Sequence, residues 1–339
     1  MNKFPPLKPR IYRGYYIAFV VFLATGLAIG MGQYSFGEFS APLREKFGWT
    51  QTQFNLSLSF AFISGIIAPF IGRISDSIGV RSVIVISLLC MALGFGLRPF
   101  ISQLWHWYLF SALVYAGFPG ATILPVGRLV HLWFPETTGR VSGAVTSGNN
   151  FGGIVIPPFA AFMIIAFGWQ WAYVGFGILL AALGLIAYFV ISESKTDVQS
   201  ERVRTGRDKT LNQTTLIDQG FTLRQAVSNR AFWLLMFGLT AATFTYQGVL
   251  TQLRQHFGEN GFEPAAATAA ITTIAVMGIG SKLVFGRIAE GFPARKATII
   301  SLAFQAIGVF LMSSSSGINI MWVGIIIFSL GFGGLGVLL

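Results

Sequence analysis

Charged residues and cysteines are scarce in this 339-residue chain. Asp, Glu, Lys and Arg make up 10% of it, hydrophobic residues make up 54%, and the mean hydropathy is +0.68. A soluble domain uses roughly 25% charged residues to cover its surface, so we expect the surface of this chain to face lipid. The single cysteine, Cys90, excludes an internal disulfide and a thiolate metal cluster.

The groupings that enzymes and cofactor proteins need are also missing. The histidines at 106, 131 and 256 match no metal-ligand spacing, and no nucleophile stands with a base. The glycine clusters lie in apolar runs and not in strand-to-helix turns, so they form no nucleotide fingerprint. We predict no metal, no cofactor and no enzyme activity. The net charge of +11 sits in short connections between apolar runs, which argues against a nucleic-acid partner.

Long apolar runs are what the sequence has instead. A spanning helix needs ~20 mostly apolar residues, and ten such runs occur, at 14–38, 52–72, 82–101, 106–132, 141–167, 170–192, 231–252, 265–287, 296–315 and 319–339. The first run is too long for a cleaved signal peptide and no small-residue cleavage site comes after it. We therefore predict an all-α integral membrane protein with ten spans.

Lysine and arginine set the orientation, because they concentrate on the cytoplasmic side of a membrane protein. If the N-terminus is cytoplasmic, most of the 23 lysines and arginines fall in inside segments, and the outside loops keep only Arg44, Lys46 and Arg254. We predict a multi-pass protein of the cell (inner) membrane, in contact with lipid, with its N-terminus in the cytoplasm.

One long polar segment separates six spans from four. It covers about 193–230 and is rich in Ser, Thr, Asp, Lys and Arg, a composition typical of a linker. We predict a first helical domain over 1–192, a cytoplasmic linker over 193–230, and a second helical domain over 231–339.

The chain also contains an internal repeat. The loop GRISDSIGVR at 72–81 returns as GRIAEGFPAR at 286–295, and the same offset of 214 residues aligns the first and third spans with the seventh and ninth. Two parallel copies of a helical unit joined by a linker are a common plan for secondary transporters.

The repeated loop resembles the signature of the major facilitator superfamily, G-x-x-x-D-x-x-G-x-R. The first copy meets it with Gly72, Asp76, Gly79 and Arg81, and the second copy aligns Gly286, Glu290 and Arg295. The resemblance implies two pseudo-symmetric six-helix bundles and a cytoplasmic gate at these residues. The physics agrees, since glycines permit close helix contacts and an acidic side chain is favoured beside a helix N-terminus.

The repeat offset also predicts that the second bundle is incomplete. The fourth span, 106–132, projects onto 320–346, and the partners of the fifth and sixth spans would lie beyond Leu339. We expect ten of the superfamily's twelve spans in this chain.

Several stretches resemble the monocarboxylate porter and oxalate/formate antiporter group. They are QYSFGEFSAPL with FGWT, WFPETTGRVSGAVTSGNNFGG, FTLRQAVSNRAFWLL and GENGFEP. This resemblance implies secondary transport of a small monocarboxylate or dicarboxylate, with a proton or a counter-anion as coupling partner.

Lys282 is the first candidate for anion binding, because a basic residue is typical of that group at this position in the eighth span. A cation within a span costs ~2.5–3.5 kcal/mol on insertion scales and usually has a use. Its repeat mate is Ala68, so the fold does not require a charge there. The alternative is that Lys282 reaches the cytoplasmic surface. The monocarboxylate branch tends to carry an acid one turn earlier, where this chain has Gly278.

Polar residues of the first and seventh spans are further candidates. Gln33 maps onto Gln247 at the repeat offset, so the two amides are predicted to hydrogen-bond a carboxylate from both sides, or to bond helices together. Tyr34 is the next residue after Gln33 and offers a hydroxyl.

Three charged residues lie near the ends of predicted spans. Two of them, Glu38 and Arg128, have two interpretations each. Glu38 is either a solvated helix end or a partly desolvated carboxylate that carries a proton. Arg128 is either a second anion contact or a cytoplasmic anchor. Arg98, next to Pro99, is expected to be an interfacial anchor.

Other functions stay open at this point. The string SGNNFGG also resembles the nitrate porter signature, although the second span lacks the arginine of that family before Arg73. Drug/proton antiport and a non-transporting receptor of the same fold are the remaining alternatives.

Overall fold

Helices make up the whole architecture that the computed structural model describes, at residues 12–193, 223–291, 294–314 and 317–335. Within those ranges there is no β-strand. The helices of the first part are α1 Arg13–Ile29, α2 Ser40–Phe47, α3 Gln51–Asn55, α4 Ala61–Ile78, α5 Val80–Gly96, α6 Leu104–Ala121, α7 Ile123–Trp133, α8 Thr138–Thr146, α9 Gly148–Phe167 and α10 Trp169–Val190.

The second part continues with a short helix and four long ones. They are α11 Leu223–Ser228, α12 Arg230–Glu259, α13 Pro264–Gly291, α14 Ala294–Ser314 and α15 Ile318–Leu335. Short 3-10 segments occupy Phe36–Phe39, Leu56–Phe60 and Arg98–Phe100.

Among the described residues, seven helical segments are long and apolar enough to cross a membrane, and two shorter apolar helices come after them at Thr298–Ser314 and Ile318–Phe332. The predicted span 106–132 is present as two helices, α6 and α7, which meet at Thr122. Each of the ten predicted runs is therefore helical in its described part. Their outward faces carry large apolar side chains such as Phe62, Phe244 and Ile165, which are 74%, 80% and 86% exposed, as lipid contact requires.

Two predicted boundaries are wrong. The first span is an α-helix only to Ile29. A π-helical turn covers Gly30–Tyr34, and the amide of Ser35 donates to the carbonyl of Gly30 at 2.9 Å across that wider turn. The seventh span does not end at 252, because α12 continues to Glu259. Arg254, predicted in an outside loop, therefore belongs to the helix.

Buried side chains form two clusters. One runs from Tyr12 to Ile191 and packs α1, α5, α6, α9 and α10 together. The other joins α12, α13 and α15 through residues such as Phe257 and Phe328, and it also takes in Ile29 and Tyr34 from the first helix. The first cluster comes entirely from residues before the predicted linker, and the second comes mainly from residues after it. The domain boundaries at 192 and 230 stay a prediction, since residues 194–222 lie outside the described ranges.

Helices α1 and α9 pack backbone to backbone through glycines. A Cβ on Gly26 would lie 2.7 Å from the carbonyl oxygen of Gly148, and one on Gly30 would lie 2.8 Å from that of Gly152. A Cβ on Gly152 would overlap the carbonyl oxygen of Gly26. Small residues at a helix crossing let van der Waals contact between backbones replace side-chain packing.

We expect Gly152→Ala to lower the apparent melting temperature in detergent by ~2–12 °C. The added methyl group would overlap the backbone carbonyl of Gly26, which cannot move aside as a flexible side chain could. Overpacking costs ~1–3 kcal/mol, and each kcal/mol moves the midpoint by ~2–4 °C. Gly65→Ala is the matched control, because nothing lies within 4 Å of a Cβ at that helical glycine. Equal melting temperatures for the two variants would contradict the close packing of α1 on α9.

Candidate functional site

Lys282 is buried in α13, with 7% of its surface exposed. Its ammonium donates to the side-chain oxygen of Asn150 at 2.5 Å and to the backbone oxygen of Thr146 at 3.1 Å. Both acceptors belong to the fifth predicted span, so the lysine joins the two halves of the chain. The partners are neutral, and no carboxylate pairs with this ammonium among the residues that the structure describes. The alternative interpretation, in which Lys282 reaches the membrane surface, is wrong.

Asn150 completes this contact from α9 and is fully buried. Its amide nitrogen donates to the carbonyl of Ala275 at 3.0 Å, two turns before Lys282 on the same helix. Gly278 lies between them, and a Cβ there would overlap that amide nitrogen. Gly278, which has no side chain, is therefore the residue that lets Asn150 reach α13.

Aromatic rings extend the site from Lys282 to the first helix. The ammonium lies 5.7 Å from the ring centre of Phe332. Phe332 stacks on Tyr246 with centres 4.3 Å apart, and Tyr246 meets Tyr34 edge to face at 6.3 Å. The structure thus brings Tyr34 and Lys282 into one cluster with Asn150, Tyr246 and Phe332, which we call the Lys282 cluster. Tyr246 and Phe332 were not predicted, because an aromatic residue in an apolar run carries no distinguishing signal.

Gln33 and Gln247, which the repeat offset aligns, lie in helical segments of different geometry. Gln33 lies within the π-helical turn, whereas Gln247 lies in the continuous α-helix α12. An extra residue in a turn rotates all later residues of the helix by about 100°, so equal sequence offsets no longer mean equal helix faces. Both side-chain oxygens are buried without a hydrogen-bond partner in the described structure, and none joins them to each other. Their bonding to a carboxylate stays a prediction.

Glu38 lies in the 3-10 segment Phe36–Phe39, beyond the end of α1, and is 3% exposed, so its interpretation as a solvated helix end is wrong. Its carboxylate forms a short ion pair with Arg254 of α12. Thr268 of α13 donates to the other carboxylate oxygen at 2.9 Å and accepts from Arg254 at 3.1 Å. Asn55 adds a bond of 3.4 Å to Gln252. These contacts join the two halves of the chain at this end.

The signature loop is organised by a residue that sequence reasoning missed. Gly79 has a φ of 86°, which favours glycine, and a Cβ there would overlap the carboxylate of Glu193. That carboxylate accepts from the amides of Val80 and Arg81 at 2.7 and 3.2 Å, at the N-terminus of α5. A negative charge is favourable there because helix N-terminal amides are unpaired and the helix dipole is positive. The Arg81 guanidinium lies 4.1 Å from the ring centre of Tyr188.

The structure describes fewer contacts for the other signature residues. Gly72 is exposed on α4, with open space around it. The side chains of Asp76, Glu290 and Arg295 and the surroundings of Gly286 lie outside what the structure describes, so the gate role of all seven signature positions stays a prediction. Arg128 is exposed on α7, whereas Tyr34, Asn150 and Lys282 are buried, and the role of Arg128 as an anion contact also stays a prediction.

Arg98 is not an interfacial anchor as expected, because only 5% of it is exposed. Its guanidinium lies among three rings, with centres 4.4 to 4.7 Å away, those of Phe95, Trp107 and Tyr173. One nitrogen donates to Ser111 at 3.3 Å. Cation–π contacts stabilise a cation most where water is excluded, so the aromatic cage accounts for this burial. The signal that could have shown it is the density of aromatic residues in neighbouring spans.

Apolar helices in this number, together with buried polar contacts that join the two halves of the chain, define a multi-pass membrane protein of the transporter type. Residues 18–339 match the sequence profile of the Major Facilitator Superfamily. The chain belongs to this family.

Curated relatives agree with the family. The chain is 25% identical to the uncharacterized transporter YybO of Bacillus subtilis over 313 residues, which are 87% of this chain and 71% of that protein. It is 26% identical over 282 residues to the class E tetracycline resistance protein of Escherichia coli, covering 80% of this chain and 65% of the relative. For the Bacillus subtilis protein YcxA, 25% identical, the match spans 48% of the relative.

Solved structures share the fold. The xylose transporter XylE of E. coli superposes with a TM-score of 0.74 at 14% identity, over 95% of this chain and 84% of that chain. A bacterial homologue of the human lysosomal transporter Spinster gives 0.68 at 15% identity, over 98% and 74%. At such low identity these likenesses show the major facilitator fold alone.

We expect a double-mutant cycle to show that Glu38 and Arg254 act as one unit. Glu38→Gln and Arg254→Gln should each lower the melting temperature in detergent, because each leaves its partner's charge without compensation. The double variant should be no less stable than the worse single variant, with a coupling of ~1–3 kcal/mol. Arg44→Gln is the control, since Arg44 bonds Gln51 and the Trp49 carbonyl. Additive shifts for Glu38 and Arg254 would reject the pairing.

Proposed function

We propose that this protein is a secondary active transporter that moves a small organic anion across the membrane by alternating access. The observation that carries the proposal is Lys282, a buried ammonium whose described partners are neutral oxygens. A buried charge with only neutral partners is incompletely compensated. Burial removes more favourable hydration free energy from the ammonium than two hydrogen bonds restore. A substrate carboxylate supplies the missing negative charge.

The surroundings of Lys282 favour a small anion with one ionic contact. Among the described side chains of the Lys282 cluster, the lysine alone carries a charge, and Tyr246 and Phe332 contribute apolar ring faces. Phe332 and Tyr246 thus suit the carbon skeleton of the substrate. The amide oxygens of Gln33 and Gln247 are buried without a described partner, so each can accept a hydrogen bond from a substrate hydroxyl. A monocarboxylate therefore fits best, and a dicarboxylate fits if the amide nitrogens of these residues donate to its second carboxylate.

The contacts between the halves support alternating access. With the N-terminus in the cytoplasm, Glu38, Arg254 and Thr268 lie at the outer side and hold it closed in this conformation. Opening toward the outside separates Glu38 from Arg254. Protonation of Glu38 removes the charge that holds Arg254, so Glu38 is the proposed proton site for symport. A counter-anion at Lys282 is the alternative coupling partner.

Location and orientation are inferred from the arrangement of lysine and arginine. We propose the cell (inner) membrane with a cytoplasmic N-terminus, because the arginine-rich signature loop and the polar segment 193–230 then face the cytoplasm. The loop bound by Glu193 at the N-terminus of α5 becomes part of the cytoplasmic gate.

Transport of another solute is the competing function. The tetracycline resistance relative favours drug/proton antiport, for which Glu38 would again be the proton carrier. Drug antiport does not require an anion at Lys282. Nitrate transport and a receptor without transport are separated from the proposal by ligand binding and counterflow measurements.

The proposal is tested with purified protein in detergent and in liposomes. Thermal shift is measured with lactate, oxalate, succinate, nitrate and tetracycline, and counterflow is measured for each solute that shifts the midpoint. We expect an organic anion to stabilise the wild type and to exchange across the liposome membrane. Lys282→Gln should weaken its binding at least tenfold, and Lys282→Arg should keep part of the affinity with altered preference, since a planar guanidinium is not a point charge.

Lys296→Gln is the matched control, because Lys296 is an exposed lysine on α14. It should bind and exchange the anion as the wild type does. Equal anion binding by Lys282→Gln and wild type would reject the anion site. Binding without counterflow would favour a receptor, and stabilisation by tetracycline or nitrate alone would favour the corresponding alternative.

A further inference from the structure

The contact between Asn150 and Lys282 joins the halves of the chain by a bond to a neutral group. Asn150 belongs to α9 and Lys282 to α13, and the amide oxygen accepts from the ammonium at 2.5 Å. Asn150 is fully buried, so water does not compete for either atom. The bond places a neutral ligand in the position where an anion would be expected beside a buried cation.

We infer that Asn150 is a specificity-determining residue of the anion site, which holds the Lys282 ammonium when the site is empty and gives it up to a substrate carboxylate. The inference rests on the proposed function and deepens it. An amide oxygen is a weaker partner for an ammonium than a carboxylate, because charge-assisted pairs with two opposite charges are stronger. A carboxylate can therefore replace Asn150, whereas the hydroxyl of a neutral solute cannot.

The other bond of Asn150 explains how the exchange leaves the helices in place. The amide nitrogen donates to the Ala275 carbonyl at 3.0 Å, through space that Gly278 leaves open. This bond does not involve the ammonium. When a carboxylate takes Lys282, Asn150 stays anchored on α13 by its nitrogen, and its oxygen is free to receive a donor from the substrate.

Discrimination depends on the neutrality of Asn150. An aspartate at this position would form a permanent ion pair with Lys282 and would close the site to anions. An apolar residue would leave the ammonium with the Thr146 carbonyl as its remaining described partner, and any anion would then meet less competition. Asparagine competes for the Lys282 ammonium less strongly than aspartate and more strongly than an apolar residue. It therefore sets the affinity that an anion needs in order to displace it from the ammonium.

The test compares two substitutions that should act in opposite directions. In Asn150→Asp, we expect at least tenfold weaker binding of the anion among lactate, oxalate and succinate that shifts the wild type most, together with a higher melting temperature without ligand. In Asn150→Ala, we expect binding as tight as the wild type or several-fold tighter, with a lower melting temperature without ligand. Affinity is read from thermal-shift titrations in detergent.

Asn149→Asp is the matched control, because its side-chain oxygen is buried without a partner and makes no described bond to Lys282. It should change anion affinity less than threefold. Equal losses in Asn149→Asp and Asn150→Asp would mean a general effect of added charge and would overturn the inference. Unchanged binding in Asn150→Asp, or a loss in Asn150→Ala as large as in Lys282→Gln, would also overturn it.

Lys282→Gln, measured in parallel, separates the two proposals. If Lys282→Gln binds the anion as the wild type does, the proposed anion site itself is wrong. If Lys282→Gln loses binding while Asn150→Asp keeps it, the anion site stands and only the role of Asn150 is wrong. Since Asn150→Ala leaves a cavity and can fail to fold, Asn150→Asp alone is sufficient for this decision.

Discussion

The approach of α9 to α1 is the constraint on which the candidate site depends. Gly26 and Gly152 bring the two backbones into contact, and Asn150 lies on the same turn of α9 with its side chain directed at α13. A wider spacing between α1 and α9 would carry Asn150 toward α13 and into Gly278. The position of the amide, and through it that of the Lys282 ammonium, is therefore set by glycines that make no polar contact themselves.

Buried charges are compensated in three different ways in this protein. Glu38 has an ion pair with Arg254, and the Arg98 cation has aromatic faces. Lys282 has neutral oxygens. The first two arrangements leave little for an outside molecule to improve, because the charge already has a strong partner or a cage around it. The third leaves room for a better partner, and this difference singles out Lys282 among the charged residues buried in the described ranges.

Much of the architecture could be predicted from the sequence, because an apolar run of about 20 residues has few alternatives to a spanning helix. The signature loop and the repeat offset identified the family, which the profile match confirms. The π-helical turn at Gly30–Tyr34 could not be predicted, since its residues also suit an α-helix. It gives Gln33 a backbone geometry that Gln247 in α12 does not share.

The charged residue of the candidate site, Lys282, could be predicted from the sequence, but the residues that contact it could not. Lys282 stood out as a cation in an apolar run. Asn150 and Glu193 depend on where helices cross and end, which no local pattern encodes. The extension of α12 to Glu259 was missed for a related reason. The charge of Arg254 predicts that it lies in a loop. In the folded protein Arg254 lies within α12, where Glu38 neutralises its charge.

The aromatic cage of Arg98 has a mechanical consequence. Its rings come from α5, α6 and α10, and the guanidinium in their middle touches all three helices. Sliding any one of these helices past the others would remove aromatic contacts from the Arg98 guanidinium, so the cage opposes such sliding. Helices α5, α6 and α10 are thereby held in fixed positions relative to one another at the level of Arg98.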